Sequence, residues 1–245
     1  MVSSKNSGMT LFSKTIVLVV STQRAGSTLL KALLAQAPDV SHLPEINFQK
    51  YCKVRKAEKI FTLSHKPIIV LKHPMWFQEI LHYPKIPPIQ GRKKIILMRD
   101  IYDNLHSVRK MLTAAMFIPK TLANSKWVTN WLVNHYWCRF YQNIFSCSEF
   151  SDPDSYWLKY EDLINDPLRI TAELFSFIGS KQKQGVDSYS PPDKIWRWGR
   201  DDGGSVIKTF KVQRKTAEKT TDHVLNECIL QSDRVKKIRQ KLGYI

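Results

Sequence analysis

Short apolar runs along the chain alternate with longer stretches in which apolar residues recur every three or four positions. The runs are continuous and rich in β-branched residues, which is typical of strands buried on both faces of a parallel sheet. They predict strands over residues 15–20, 67–74, 93–100 and 155–160. The stretches with helical spacing predict helices over 29–37, 103–116, 127–145, 167–178 and 233–244.

Strands that alternate with helices predict the α/β class, with a parallel sheet between two layers of helices. The length of 245 residues suits a single domain over 1–245. Two segments lack a regular pattern: 1–14 is expected to be flexible, and 180–215 to be a long functional loop or partly disordered. Ligands of such sheets bind beyond the carboxyl ends of the strands, so the residues that follow the strands are the candidates for function.

The charge of the chain favours an anionic partner. Its 38 lysines and arginines exceed its 21 aspartates and glutamates, which gives a formal net charge of +17. A nucleotide, a sulfated or phosphorylated ligand, nucleic acid or an acidic membrane surface would each match this excess. A solvated basic surface without any partner explains the charge equally well, so charge alone leaves these alternatives open.

Cysteine usage and hydropathy indicate a compartment. Cys52, Cys138, Cys147 and Cys228 form no CxxC pair and stand beside no histidines at zinc-finger spacing. Free thiols in a reducing compartment are therefore expected, without a bound metal. The sequence shows neither the pattern of a secretory signal nor an apolar stretch of ~20 residues. A cytoplasmic protein without a membrane span is the expectation.

The segment that follows the first predicted strand, TQRAGSTLLKALL, has the features of an anion-binding loop. Gly26 permits a tight turn, and Ser27 and Thr28 place hydroxyl and amide groups at a helix N-terminus, which carries about half a positive charge. Arg24 adds a planar guanidinium that suits two oxygens of a phosphate or sulfate. The lysine of a nucleotide-hydrolysing P-loop, G-x-x-x-x-G-K-[ST], is missing.

A second anion site is indicated after the third predicted strand, in LMRDIYDNLHS. Arg99 leaves the strand and Ser107 lies on the helix that follows, so the two side chains are able to grip one phosphate. Together with the preceding loop, this pair predicts a ligand that is phosphorylated at two places.

These segments resemble motifs of the sulfotransferase superfamily. The loop is similar to the 5′-phosphosulfate loop R-S-G-T/S-T-x-L, MRDIYDNLHS to the 3′-phosphate motif R-D-P-x-D-x-x-x-S, and LKYEDLINDP to Y-E-D-L-x-x-D-P. Ala25 and Ile101 depart from the first two motifs, and Ala25 removes one hydroxyl contact. The resemblance implies the three-layer, P-loop-like sulfotransferase fold. It also implies the donor 3′-phosphoadenosine-5′-phosphosulfate (PAPS) and the product 3′-phosphoadenosine-5′-phosphate (PAP).

The same resemblance implies roles for individual residues. Lys72 and Arg24 are expected to stabilise the sulfuryl oxygens and the bridging oxygen. The nucleotide is expected to contact residues of the loop, of the two later motifs and of the irregular segment: Arg24, Ala25, Gly26, Ser27, Thr28, Arg99, Ser107, Tyr160, Arg197 and Lys208.

The general base has two main candidates, because the family uses two solutions. Glu45, which lies beyond APDV, resembles the glutamate of the tyrosylprotein and bacterial branch, and the motif pattern is closest to that branch. His73, in VLKHP, resembles the histidine of the cytosolic small-molecule enzymes, and His42 is a weaker alternative. Such a group would take the proton of the acceptor. Glu45 is preferred, and the choice between Glu45 and His73 stays open.

Three functions compete. The first is a sulfotransferase that moves the sulfuryl group of PAPS, in line, to a hydroxyl or amine of a small molecule such as a natural product, alkaloid or glycoside. A nucleoside or nucleotide kinase is the second, and the missing lysine and the lack of an evident Mg²⁺-holding aspartate speak against it. A non-catalytic binder of polyanions or nucleic acid is the third. Aromatic residues between 111 and 150 are expected to be mostly core, and some are expected to line an acceptor pocket.

Overall fold

The computed structural model describes residues 14–43, 58–75, 92–115, 118–190, 207–213 and 222–245. Within these residues lies a four-stranded sheet whose order is β2-β1-β3-β4, and each neighbouring pair is parallel. The predicted parallel α/β sheet is confirmed. Each strand begins within a residue of its predicted start: β1 (Thr15–Thr22), β2 (Ile68–Met75), β3 (Arg92–Met98) and β4 (Ser155–Lys159).

Helices connect and follow these strands. The first helix, α1 (Ser27–Leu34), follows β1 after a short loop. The helix α7 (Pro167–Ile178) spans the residues predicted for it, because a side-chain cap from Asp166 and a proline at its first position define its start. The helices of the described residues are α1 (Ser27–Leu34), α2 (Ile101–Ala115), α3 (Lys120–Ala123), α4 (Lys126–Trp131), α5 (Cys138–Ser146), α6 (Tyr160–Asn165), α7 (Pro167–Ile178), α8 (His223–Leu230) and α9 (Asp233–Lys241).

Two predicted elements are corrected. The helix predicted over 127–145 is interrupted by a π-helical segment, Leu132–Trp137, which joins α4 to α5. The pattern does not reveal this change, because apolar residues continue on the buried side through the segment. The residues after β4 form α6 instead of continuing the strand, and the acids Glu161 and Asp162 in its first turn suit a helix N-terminus. The short helices α3 and α8 were not predicted.

Helices cover both faces of the sheet, so the three-layer arrangement is confirmed. On one face α1, α6 and α7 pack against alternate strand residues such as Val17 and Val19. On the other face α2, the π-helical segment, α5, α8 and α9 pack against residues such as Leu18 and Ile96. The expectation of an aromatic core between 111 and 150 is largely confirmed, because four rings there are at most 1% exposed: Tyr136, Trp137, Phe140 and Tyr141.

The strand register brings the carboxyl ends together at one edge. Thr22 pairs with Met75, Ser21 pairs with Leu97, and the last pair of β3 and β4 is Met98 with Lys159. The residues that follow these strands therefore share the edge at which parallel sheets bind ligands.

The irregular segment predicted over 180–215 is described in two parts, 180–190 and 207–213. The parts pair with each other through an antiparallel bridge between Ser188 and Lys211. The Tyr189 hydroxyl donates to the Ile207 carbonyl at 2.8 Å. These contacts fix the 3₁₀ turn Ile207–Thr209 beside the residues that follow α7.

Asp39 anchors the start of this segment to the turn after α1. Its carboxylate accepts hydrogen bonds from the Ser180 hydroxyl at 2.6 Å and from the Lys181 N–H at 2.7 Å. Burial opposes ionisation of Asp39, but these hydrogen bonds outweigh it and lower the pKa of the carboxyl below its usual value. Because the pKa of Asp39 is lower in the folded state, its ionised carboxylate stabilises the folded protein. This stabilisation is fully present above the unfolded-state pKa and is lost as the pH falls through the folded-state pKa.

Candidate active site

The loop between β1 and α1 has the backbone of an anion-binding turn. Arg24 and Gly26 both have positive φ angles, 63° and 96°, and the latter is a left-handed N-cap. The N-cap residue is a glycine and so provides no side-chain cap, and the first turn of α1 contains no acid. The N–H groups and the positive end of α1 therefore face the carboxyl edge of the sheet, and no carboxylate of the first turn offsets this charge.

Three side chains hold the loop backbone, one from α2, one from the π-helical segment and one from the residue after β3. The buried Tyr136 hydroxyl accepts a hydrogen bond from the Gln23 N–H at 2.6 Å, and Asn104 donates through Nδ2 to the Gln23 carbonyl at 2.8 Å. Arg99 donates through Nη1 to the Arg24 carbonyl at 2.7 Å. The loop is thus fixed on both sides of Gln23, which offsets the cost of a left-handed Arg24.

The two predicted anion sites are adjacent. The Arg24 side chain donates through Nε to the Ser107 hydroxyl at 3.1 Å. Arg99 is only 6% exposed, and its Nε has no hydrogen-bond partner among the residues that the structure describes. A buried cationic donor without an acceptor is costly, and an anion placed beside it would satisfy it. The residues present therefore fit a phosphorylated cofactor.

Tyr160, the first residue of α6, contacts both the loop and Arg99. A Cβ added to Gly26 would lie 2.4 Å from Tyr160 Cδ2, so the ring lies directly on the glycine. The Arg99 guanidinium lies over the same ring, 4.6 Å from its centroid. Burial raises the pKa of the Tyr160 hydroxyl, and the Arg99 charge opposes this rise in part. Tyr160 is thus neutral at ordinary pH and serves as an aromatic wall.

Lys72 reaches the loop from β2. It is 5% exposed, and its Nζ donates a hydrogen bond to the Thr28 hydroxyl at the start of α1. A second positive charge therefore stands at the N-terminus of α1, on the side of the loop away from Arg99. This arrangement places two cationic groups around one helix end, which is suited to binding a group with several negative oxygens.

The structure brings together most of the predicted nucleotide-binding residues. Ser27 is buried at the start of α1. Ala25 is fully buried in the apolar cluster, so only its backbone is available to an anion. Lys208 is exposed in the 3₁₀ turn Ile207–Thr209, and among the described residues it makes no hydrogen bond to the loop or to Arg99.

The predicted bases are only partly described. Glu45 and Arg197 lie outside the described residues. His73 is paired with Val20 in the register of β1 and β2, which places its backbone near the carboxyl end of β2. The residues that sequence reasoning missed are Asn104 and Tyr136, and the only signal for Asn104 was its place in the Arg99-to-Ser107 motif.

Other expectations concern metals, thiols and membranes. The described part of the chain contains no group of three or more His, Cys, Asp or Glu residues arranged to hold a metal ion. Cys138, Cys147 and Cys228 carry free thiols, and Cys52 lies outside the described residues. Among the helices that the structure describes, none has the length and apolar character needed to cross a bilayer.

Comparison with known proteins identifies the family to which the chain belongs. Residues 14–191 match the family model of the sulfotransferase domain. This range contains β1 to β4, the loop, the Arg99-to-Ser107 motif and Tyr160. The chain belongs to the sulfotransferase family, as the motifs predicted, and is a sulfotransferase. No curated protein sequence matches the chain significantly.

Solved structures show the same fold at low sequence identity. The sulfotransferase domain from the curacin biosynthetic pathway has a TM-score of 0.52 at 16% identity, covering 95% of this chain and 98% of that one. A sulfotransferase from Alicyclobacillus acidocaldarius has a TM-score of 0.54 at 11% identity, covering 93% and 96%. The mouse sulfotransferase SULT7A1, solved in complex with PAP, has a TM-score of 0.51 at 12% identity, covering 94% and 92%.

Proposed function

We propose that the protein transfers the sulfuryl group of PAPS to a hydroxyl or amine of a small-molecule acceptor. The observation that carries the proposal is Arg99, a buried guanidinium whose Nε finds no partner in the described part of the chain and which lies next to the glycine-capped N-terminus of α1. The family uses PAPS as donor, and the mouse relative was solved with PAP. A nucleotide with phosphates at both the 3′ and 5′ positions matches the two adjacent anion sites.

The nucleotide is divided between these two sites. Arg99 and Ser107 hold the 3′-phosphate, and Tyr160 forms a wall beside them. The N–H groups of 26–28 and the Arg24 guanidinium bind the 5′-phosphate side. Arg197 and Lys208 are proposed to approach the nucleotide from the irregular segment.

Lys72 acts on the group being transferred. When bound, PAPS supplies an activated sulfuryl group on a phosphate leaving group. Lys72 Nζ, held at Thr28, neutralises charge that grows on the bridging and sulfuryl oxygens, and Arg24 shares this role. The buried position of Lys72 strengthens this effect, because little water screens its charge.

The nucleotide site is tested by calorimetric titration with PAP. Arg99→Ala is expected to weaken PAP binding about 30- to 100-fold, because it removes a buried charge that pairs with the 3′-phosphate. Arg169→Ala is the matched control: it removes the same charge from an exposed pair with Asp166 and Glu173, and it should leave the affinity unchanged.

Other results of this titration would point to the competing functions. PAP binding that Arg99→Ala retains, or that Arg99→Ala and Arg169→Ala weaken to the same extent, would indicate a nonspecific basic surface. Magnesium-dependent turnover of ATP without PAP binding would indicate a kinase. Either result contradicts the proposal.

We propose Glu45 as the general base and His73 as the alternative. With an acceptor in hand, Glu45→Gln is expected to lower kcat about 100- to 10,000-fold, because the acceptor proton has no other group to receive it. His73→Ala is expected to change kcat less than about tenfold. Steady-state kinetics with both variants, with PAP affinity measured beside them, decide between the two. The reverse ranking would assign the proton transfer to His73.

A further inference from the structure

Two acids directly follow two of the proposed nucleotide-binding residues, Arg99 and Tyr160. Asp100 and Glu161 are joined, because the Asp100 N–H donates to Glu161 Oε1 at 3.0 Å. Asp100 Oδ1 also accepts a hydrogen bond from the Tyr102 N–H at 3.0 Å, at the start of α2. A carboxylate after β4 therefore fixes the backbone after β3, immediately beside the Arg99 side chain.

Residues from α9 and the turn after it hold both acids. Arg239 donates through Nη2 to Asp100 Oδ2 at 3.2 Å, and the Tyr244 hydroxyl donates to Glu161 Oε2 at 2.9 Å. Arg239 and Tyr244 together form the α9 clamp. The side chains of Asp100 and Arg239 are each 19% exposed, so water screens this ion pair only weakly.

The conformation of the turn after α9 places Tyr244 beside Glu161. Gly243 has a φ of 72°, and the Tyr244 N–H donates to the Arg239 carbonyl at 2.9 Å, which closes the helix end. Lys159, the last residue of β4, donates through Nζ to the Gly243 carbonyl at 2.6 Å. The positive φ favours glycine here, and a Cβ on Gly243 would also lie 3.3 Å from that Nζ, a tight contact. The turn is thus anchored to the end of β4 directly before Tyr160.

We propose that the α9 clamp positions the 3′-phosphate half of the nucleotide site. By holding Asp100 and Glu161, it fixes the chain on which Arg99 and Tyr160 stand, so the guanidinium is set before a ligand arrives. Preorganised cationic groups bind an anion more tightly than mobile ones, since no ordering cost is paid on binding. The inference rests on the proposed function, and it predicts selectivity for nucleotides that carry the 3′-phosphate.

The test compares PAP with adenosine 5′-monophosphate, which lacks the 3′-phosphate. The double variant Arg239→Gln/Tyr244→Phe is expected to bind PAP about five- to tenfold more weakly, while its affinity for the monophosphate stays within about twofold of wild type. Calorimetry gives both dissociation constants.

Tyr244→Phe alone removes only a hydroxyl and keeps the ring, so a well-folded variant is available if the double variant unfolds. Arg239→Lys should recover most of the PAP affinity.

Controls and a double-mutant cycle decide whether the effect passes through the acids. Lys126→Gln breaks an exposed ion pair with Glu227 between α4 and α8 and should leave both affinities unchanged. Adding Asp100→Asn to Arg239→Gln should weaken PAP binding no further, because both changes break one contact. Additive losses, equal weakening of both nucleotides, or unchanged PAP affinity would each overturn the inference. A wild-type chain that does not bind PAP would instead reject the proposed function, and the inference with it.

Discussion

Replacing Lys72 with methionine is expected to lower kcat about 100- to 1,000-fold, the usual effect of removing one group that stabilises transition-state charge. Its Nζ donates a hydrogen bond to Thr28 at the N-terminus of α1, which is where charge grows in the proposed reaction. PAP lacks the transferred group, and its dissociation constant should change less than about tenfold. Steady-state kinetics measure kcat, and calorimetry on the same preparation measures the dissociation constant of PAP.

Lys94 supplies the matched control for this substitution. It is also buried, 3% exposed, but it stands on β3 and pairs with Asp152 at 2.6 Å, away from the loop. Lys94→Met should lower the free energy of unfolding, because it leaves Asp152 unpaired, while kcat stays within about twofold of wild type. A Lys72→Met variant with normal kcat would show that Lys72 only anchors Thr28.

The parts of the site that sequence predicts are those coded within one short segment. The loop with Arg24 and Gly26 follows its strand directly, and Arg99 and Ser107 stand on one strand exit and the helix after it. In such segments residue type and spacing fix the local geometry, and the parallel sheet then gathers the strand ends. The fold class could be predicted for the same reason, because apolar runs and helical spacing are local patterns.

The support of the site was not predictable, because it joins residues that are distant in sequence. Tyr136 is 113 residues from Gln23, and among many buried aromatic residues nothing in the pattern marks it as the one that reaches the loop. The π-helical segment Leu132–Trp137 that carries Tyr136 also leaves no local signal. Arg239 lies 139 residues from Asp100, in a helix for which the spacing of apolar residues predicted only the helix itself. Tertiary packing selects these partners.

Exposure was also only partly predictable. Trp127 and Trp131 stand in the aromatic stretch that was expected to be mostly core, yet they are 73% and 37% exposed. Both lie on α4, four residues apart, so they share one side of that helix, and this side is exposed. Periodicity gives the faces of a helix, but only the packed structure shows which face is covered.

Replacing Gly26 with alanine is expected to weaken PAP binding by at least about 100-fold, the effect of displacing binding groups by about 1 Å. Two physical causes combine at this position. An L-residue at a φ of 96° costs about 1–2 kcal/mol, and a Cβ 2.4 Å from Tyr160 Cδ2 forces the ring or the loop to move at about 1–3 kcal/mol. Calorimetry with PAP and chemical denaturation measure the two losses.

Gly179→Ala separates these causes, because Gly179 also has a positive φ, 77°, but nothing lies within 4 Å of its added Cβ. This control should lose only about 1–2 kcal/mol of stability and should keep its PAP affinity. A second comparison tests the clash itself: in a Tyr160→Ala background the ring is gone, so Gly26→Ala should cost less than it does in wild type. If Gly26→Ala costs the same in both backgrounds, the Tyr160 ring does not define the shape of the loop. If Gly26→Ala binds PAP normally, the N-terminus of α1 is not where the nucleotide phosphate lies.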